Sequence, residues 1–87
     1  MKRQKMNFYD LIDMNINYHD FQQVHDNAGN KGTRYILSNM LTDEQIAKIN
    51  KFKNVVVSTC QYRYAPEIKY QTLIILDKCI KNTLQRV

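Results

Sequence analysis

Two strand-like runs separated by a proline constrain the fold of this chain more than any other feature. The runs are Val55–Tyr64 and Ile68–Leu76, and both are rich in β-branched and aromatic residues. Pro66 has no backbone N–H to donate and favours a turn. The segment Ala65-Pro66-Glu67 is therefore predicted to join the two runs as a long β-hairpin.

The apolar pattern predicts the register of this hairpin. If Tyr64 lies opposite Ile68, then Tyr62 lies opposite Tyr70, and the apolar residues of both strands share one face. A slip by one residue would turn the apolar set of one strand outward. The opposite face carries a second apolar set: Val55, Val57, Leu73 and Ile75. The base of the hairpin is therefore expected to be covered on both faces, by a terminal helix or by a partner.

Capping signals mark two helices. Thr42 is a good N-cap, and Gln45 completes a capping box three residues later. Acidic residues follow this cap and lysines gather towards the other end, which matches the helix dipole. This helix is predicted to run from Asp43 to Phe52. Asn7 is predicted to cap a shorter helix near the start of the chain.

The segment around Phe21 fits either a strand or a helix. Tyr18, Phe21 and His25 lie at positions i, i+3 and i+7, so the spacing favours a helix from Tyr18 to Asp26. Residues 27–32 hold both glycines and form a predicted loop. If the preceding segment were extended instead, this loop would close a hairpin.

The predicted fold class is α+β. A strand over Thr33–Ser38 and the long C-terminal hairpin form a three-stranded antiparallel sheet, with short helices packed on one face. Asp77 is predicted to cap a terminal helix, whose apolar residues are Ile80, Leu84 and Val87. With 87 residues, the chain is predicted to form one domain over 7–87, preceded by a basic flexible tail over 1–6. No internal repeat is detectable in the sequence.

Charge is unevenly distributed along the chain, whose net charge is +5. Residues 7–47 carry six acidic side chains against two basic ones, whereas residues 48–87 carry eight basic side chains against two acidic ones. Such asymmetry is typical of a protein with a basic face for phosphates, and it also fits two halves that attract each other. The alternative interpretation is that the lysines only populate solvated surfaces.

The predicted register brings polar and basic residues together near the hairpin tip. It places Arg63 opposite Lys69, and Gln61 opposite Gln71. Like charges opposed on a sheet are mildly destabilising, which is understandable if the pair holds a phosphate or a carboxylate. Tyrosines near the tip, Tyr64 among them, can stack on unpaired bases. The predicted binding residues are Lys48, Lys51, Lys53, Gln61, Arg63, Tyr64, Lys69 and Gln71.

Catalytic, metal-binding and cofactor-binding motifs are not recognisable. His25 with Asp20 or Asp26 is the one acid–base pair that can be nominated, and the spacing of the two histidines does not match that of a metal site. Cys60 and Cys79 lie far apart without a CxxC motif and are interpreted as small buried residues. We therefore expect a binding protein rather than an enzyme.

Two hypotheses about function follow from these patterns. The first is a small module that contacts nucleic acid or a nucleoprotein complex through the basic helix end and the hairpin tip. The second is a phage- or plasmid-type inhibitor or adaptor that binds a host protein complex, since abundant Ile, Asn, Lys and Tyr codons are typical of AT-rich genomes. A cytoplasmic location is expected because no signal peptide or membrane span is recognisable. The second apolar face of the hairpin is a candidate seam for a homodimer.

Overall fold

Two hairpins form a four-stranded antiparallel sheet in the computed structural model, which describes residues 5–25 and 27–78. The elements are α1 (Phe8–Asp13), β1 (Tyr18–His25), β2 (Lys31–Leu37), α2 (Asp43–Ile49), β3 (Val55–Tyr62) and β4 (Ala65–Leu76). The strand order is β1-β2-β4-β3, so β2 and β4 are central and β1 and β3 are the edges. The fold is α+β, but the prediction of a three-stranded sheet is wrong.

The fourth strand is β1, where the sequence favoured a helix. The register between β1 and β2 shifts between Tyr18 and Asp20, which marks a β-bulge or irregularity. This shift lets Tyr18 and Phe21 lie on the same side of the sheet although they are three residues apart. Both rings contact Tyr35, with centroid distances of 4.9 and 6.3 Å. A bulged strand therefore produced the i, i+3 spacing that was interpreted as helical.

The long hairpin exists, but its predicted register and turn are wrong. Cys60, not Tyr62, lies opposite Tyr70, which is a shift of two residues, and Tyr62 pairs with Ala65. The turn is therefore Arg63-Tyr64. Pro66 lies within β4 at a point where the ladder with β3 is interrupted, so its missing N–H removes no ladder bond there. A shift of two preserves which residues share a face, so the two apolar faces were predicted correctly.

The two helices cover one face of the sheet, called here the helix face. Leu11 of α1 and Ile49 of α2 join Tyr35, Leu37 and Leu73 in the buried core. The other face, called here the open face because neither described helix packs on it, carries the alternate residues of every strand, of which Thr72 and Leu76 are buried. The helices therefore lie over the face of Leu73, which the sequence treated as the second apolar face.

Both predicted N-caps are present, and each belongs to a capping box, which the sequence analysis predicted for Thr42 alone. The Asn7 side chain accepts from the Tyr9 amide, and the Thr42 hydroxyl accepts from the Gln45 amide. α2 ends at Ile49, three residues before its predicted end. β2 begins two residues before and ends one residue before the strand predicted over Thr33–Ser38.

The ends of the described region bear on two further predictions. Met6 is buried in the core, although the sequence assigned it to the basic tail. The predicted terminal helix beyond Asp77 falls largely on residues 79–87, which lie outside the described residues. Among the described residues, no helix is long and apolar enough to cross a membrane.

The element order contains a structural repeat. Each half of the chain is a short capped helix followed by a β-hairpin, and the second strands of the two hairpins meet at the centre of the sheet. Tyr35 of β2 lies opposite Leu73 of β4 at this junction. The two αββ units are therefore related by an approximate two-fold axis near that pair.

Candidate nucleic-acid interface

A buried asparagine ties three chain segments together at one end of the sheet. Asn54 is fully buried, and its Oδ1 accepts a hydrogen bond from the Met6 amide at 2.7 Å. Its Nδ2 donates to the carbonyl oxygens of Met6 at 3.0 Å and Leu76 at 2.8 Å. The Leu76 amide donates in turn to the Asn54 carbonyl at 2.8 Å. The N-terminal segment, the start of β3 and the end of β4 are thereby held in hydrogen-bonding contact.

Lysines occur on each of these three segments and at the start of β2, which is hydrogen-bonded to Asp77 just after β4. Lys5 and Lys53 directly precede Met6 and Asn54, and Lys78 lies two residues beyond Leu76. Lys31 joins them because its carbonyl accepts a hydrogen bond from the Asp77 amide at 2.8 Å. We call this region the basic end; its lysines are Lys5, Lys31, Lys51, Lys53 and Lys78. All five are exposed, and none forms an ion pair with any described residue.

Among the described residues, two acidic residues lie near the basic end, and one of them accepts a hydrogen bond within a helix cap. The Asp10 carboxylate accepts a hydrogen bond from the Asn7 amide as part of the α1 cap. Asp77 is exposed beside Lys78. The basic end therefore carries an excess of positive charge that the described residues do not neutralise.

The predicted interface is split between the two ends of β3. Lys51 and Lys53 precede the strand, whereas Arg63 and Tyr64 form the turn after it. An eight-residue strand spans roughly 25 Å, so one phosphate cannot contact both groups. The helix end and the hairpin tip are therefore two separate sites rather than one.

Two of the predicted residues have structural roles. Gln71 is buried; its Oε1 accepts a hydrogen bond from the Leu41 amide at 2.7 Å, and its Nε2 donates to the Thr59 hydroxyl at 3.4 Å. Lys48 lies 3.9 Å from the Glu44 carboxylate on the surface of α2. Neither side chain belongs to the basic end.

The remaining predicted residues lie at the hairpin tip. Gln61 pairs with Lys69, which corrects the expected pairs Arg63–Lys69 and Gln61–Gln71. Arg63 lies 6.0 Å from the ring centroid of Tyr64, whose side chain is 91% exposed. These residues form a small polar surface without the concentration of charge seen at the basic end.

A groove crosses the open face next to the basic end. It has a volume of about 530 Å³, and its lining is largely apolar, including Val24, Val56, Ile74 and Leu76. The half-buried Arg34 also lines it. Within residues 5–25 and 27–78, the Arg34 guanidinium has no hydrogen-bond or ion-pair partner.

Sequence reasoning missed Lys5, Lys31, Lys78 and Arg34 as parts of one region. Lys31 and Arg34 lie in the acidic part of the chain, and Lys5 was assigned to a tail. The missing signal was the pairing of β2 with β4, which brings Lys31 next to Asp77. That pairing depended on recognising β1 as a strand.

Of the two nominated acid–base pairs, the one between His25 and Asp20 is not assembled. His25 and Asp20 lie five residues apart on β1, roughly 16 Å along a strand, and Asp26 lies outside the described residues. In the described part of the chain, no three His, Cys, Asp or Glu side chains are grouped closely enough to hold a metal ion.

Comparison of the chain with protein-family models, with curated proteins and with solved structures finds no match.

Proposed function

We propose that this protein binds nucleic acid through the basic end. The observation that carries the proposal is that Asn54 joins three chain segments and a hydrogen bond from Asp77 adds the start of β2, and that these four segments carry five exposed lysines with no ionic partner among the described residues. An array of this kind matches the spaced negative charges of a phosphate backbone. The helix end of the sequence-based hypothesis is retained, and the hairpin tip is not part of this contact.

Binding that depends on lysine–phosphate contacts releases counterions, so affinity should fall steeply as salt concentration rises. The lysines supply point charges rather than base contacts, so the basic end should bind many sequences with similar affinity. The test is fluorescence anisotropy with labelled oligonucleotides over a range of salt concentrations.

The variant pair Lys31→Gln and Lys53→Gln removes two charges from the basic end. Combined, they should weaken binding by about tenfold and reduce the slope of log affinity against log salt by about two. The matched control combines Lys48→Gln with Lys69→Gln, which removes the same charge elsewhere. Equal affinities for the two double variants would contradict the proposal.

A second candidate function is protein binding along the β3 edge. β3 contains no charged residue and, within residues 5–25 and 27–78, pairs with β4 alone, so its other side can accept an added strand. This feature favours the inhibitor or adaptor hypothesis. Affinity purification with and without nuclease discriminates the two, because a complex made by strand addition survives nuclease treatment.

A further inference from the structure

We propose that the groove on the open face holds single-stranded nucleic acid, with its backbone continuing onto the basic end. This inference rests on the proposed function and adds the class of nucleic acid and its path. The groove begins at Leu76, which Asn54 bonds at the basic end of the sheet. It runs from there past Ile74 to Thr72. A nucleic-acid strand that leaves the groove at Leu76 therefore comes next to Lys31 and Lys78.

Charge complementarity identifies an anionic occupant. Arg34 is half-buried between Gln22 of β1 and Ile74 of β4, and no described residue neutralises it. A guanidinium placed against apolar side chains gains most from a phosphate, which it can contact through two parallel hydrogen bonds. The acidic residue on the same face, Asp20, lies outside the groove lining and accepts a hydrogen bond from the Phe21 amide at 2.8 Å.

The apolar lining of the groove indicates that the bound molecule also carries an apolar group next to its phosphate. Val56 and Ile74, both half-buried, offer an apolar surface beside Arg34, which suits a base more than a sugar or a phosphate. In a duplex the faces of the bases are stacked inside the helix and cannot reach such a surface. Unpaired bases can, so the geometry favours a single strand.

Aromatic rings extend this surface towards the hairpin tip. Tyr70 follows Thr72 and Ile74 on the open face of β4, and its ring centroid lies 4.8 Å from that of Tyr62. Tyr62 is exposed and offers a stacking surface. From Leu76 to Tyr70 the path covers roughly 20 Å of strand, enough for about four nucleotides.

The experiment compares an eight-nucleotide single strand with a duplex of the same sequence, using anisotropy at fixed salt. The unmodified protein should bind the single strand at least about tenfold more tightly, since each stacked base contributes about 1–3 kcal/mol. Arg34→Gln and Tyr62→Ala should each weaken single-strand binding by about fivefold or more and change duplex binding less than about twofold. Lys69→Gln, a charge removal on the helix face, is the matched control and should leave both affinities unchanged.

The variants at the two sites separate failure of this inference from failure of the proposed function. If Lys31→Gln with Lys53→Gln weakens binding while Arg34→Gln and Tyr62→Ala do not, nucleic acid binds at the basic end alone and the groove proposal is overturned. If neither set changes binding, both proposals fail. Urea unfolding of each variant confirms that a loss of binding is not a loss of fold.

Backbone amide shifts in NMR spectra identify the occupant directly. Adding the single strand should move the signals of Arg34, Val56 and Ile74. If these signals move when the protein concentration is raised and not when the oligonucleotide is added, the groove binds a second copy of the chain. If they move when residues 79–87 are deleted and not when the oligonucleotide is added, the groove binds the C-terminal segment. Either result overturns the proposal.

Discussion

The two αββ units have the same order of helix and strands and differ in the side chains that pack on the helix face. The first unit packs four aromatic rings together, from Phe8, Tyr18, Phe21 and Tyr35, with neighbouring centroids about 5–6 Å apart. The second unit places aliphatic residues on the helix face, with Leu73 where the first has Tyr35. The units agree in backbone connection and differ in side chains, which explains why no repeat is visible in the sequence.

The difference is sharpest at the residue before each outer strand. Asn17 precedes β1 and Asn54 precedes β3, and the carbonyl of each accepts an amide from the end of a central strand: Ser38 at 2.9 Å and Leu76 at 2.8 Å. The Asn17 side chain is exposed, whereas that of Asn54 is buried and bonds three backbone groups. The same position closes a strand in one unit and joins three chain segments in the other.

Replacing the two asparagines should show the largest difference between the units. Asn54→Ala leaves three buried backbone groups without partners, at about 1–3 kcal/mol each, so we expect a loss of at least about 3 kcal/mol in the free energy of unfolding. Asn17→Ala should change it by less than about 0.5 kcal/mol. Urea denaturation measures both; similar losses would show that the units are closed in the same way.

The two units also differ in how deeply the fourth residue of each helix is buried. Leu11 in α1 is 0% exposed, and Ile46 at the matching place in α2 is 37% exposed. Leu11→Ala should therefore cost about 2–5 kcal/mol, and Ile46→Ala about 1 kcal/mol. Thermal or urea unfolding checks the order. A larger cost at Ile46 would mean that α2, not α1, is the better anchored helix.

The N-caps are where the units should behave alike. Asn7→Ala and Thr42→Ala each remove a side-chain acceptor from a complete capping box, so each should cost about 1 kcal/mol. Gly at the same positions should cost only a few tenths of a kcal/mol. Unequal costs for the two alanine variants would show that tertiary contacts, rather than local capping, hold one of the helices.

The smallest effect concerns the residues that meet at the two-fold axis, because Tyr35 titrates and Leu73 does not. Burial raises the pKa of Tyr35 above its ordinary value of 10.0, and the neighbouring Tyr18 raises it further, while a hydrogen bond with Thr33 lowers it. The folded state therefore holds this proton more tightly than the unfolded chain. The stability it contributes is complete below pH 10 and is lost as pH rises through the folded pKa.

Tyr35→Phe removes this pH dependence and keeps the ring. The difference in unfolding free energy between Tyr35→Phe and the unmodified protein should be constant below pH 9 and should shift in favour of Phe above pH 10. Urea titrations at a series of pH values measure it, and Leu73→Met provides a control that does not titrate. A difference that stays flat to pH 11 would contradict the assignment.

The features of the fold that depend on residues close together in the sequence could be predicted from it. Both helix starts follow from Asn7 and from Thr42 with Gln45, because a cap and its partner lie within three residues. β1 was missed because its bulge is a long-range feature, created by pairing with β2 and by packing against Tyr35. The hairpin register was missed by two residues because Pro66 was assigned to the turn, although an interrupted ladder accommodates it equally well.

The candidate site was predicted less completely for the same reason. Lys51 and Lys53 were identified, since they cluster in sequence. Lys5 and Lys31 become their neighbours only through Asn54 and through the pairing of β2 with β4. A surface built from four distant segments leaves no local pattern in the sequence.

The position of β4 has a consequence for synthesis of the chain on the ribosome. Among the described strands β4 is the last to be made, yet it lies between β2 and β3, and Leu76 at its end completes the bonds of Asn54. Until it emerges, β1 and β2 form a lone two-stranded hairpin, which is at best marginally stable in water. A nascent chain released before residue 76 therefore yields no folded product, and the lysines reach their common end only after β4 has emerged.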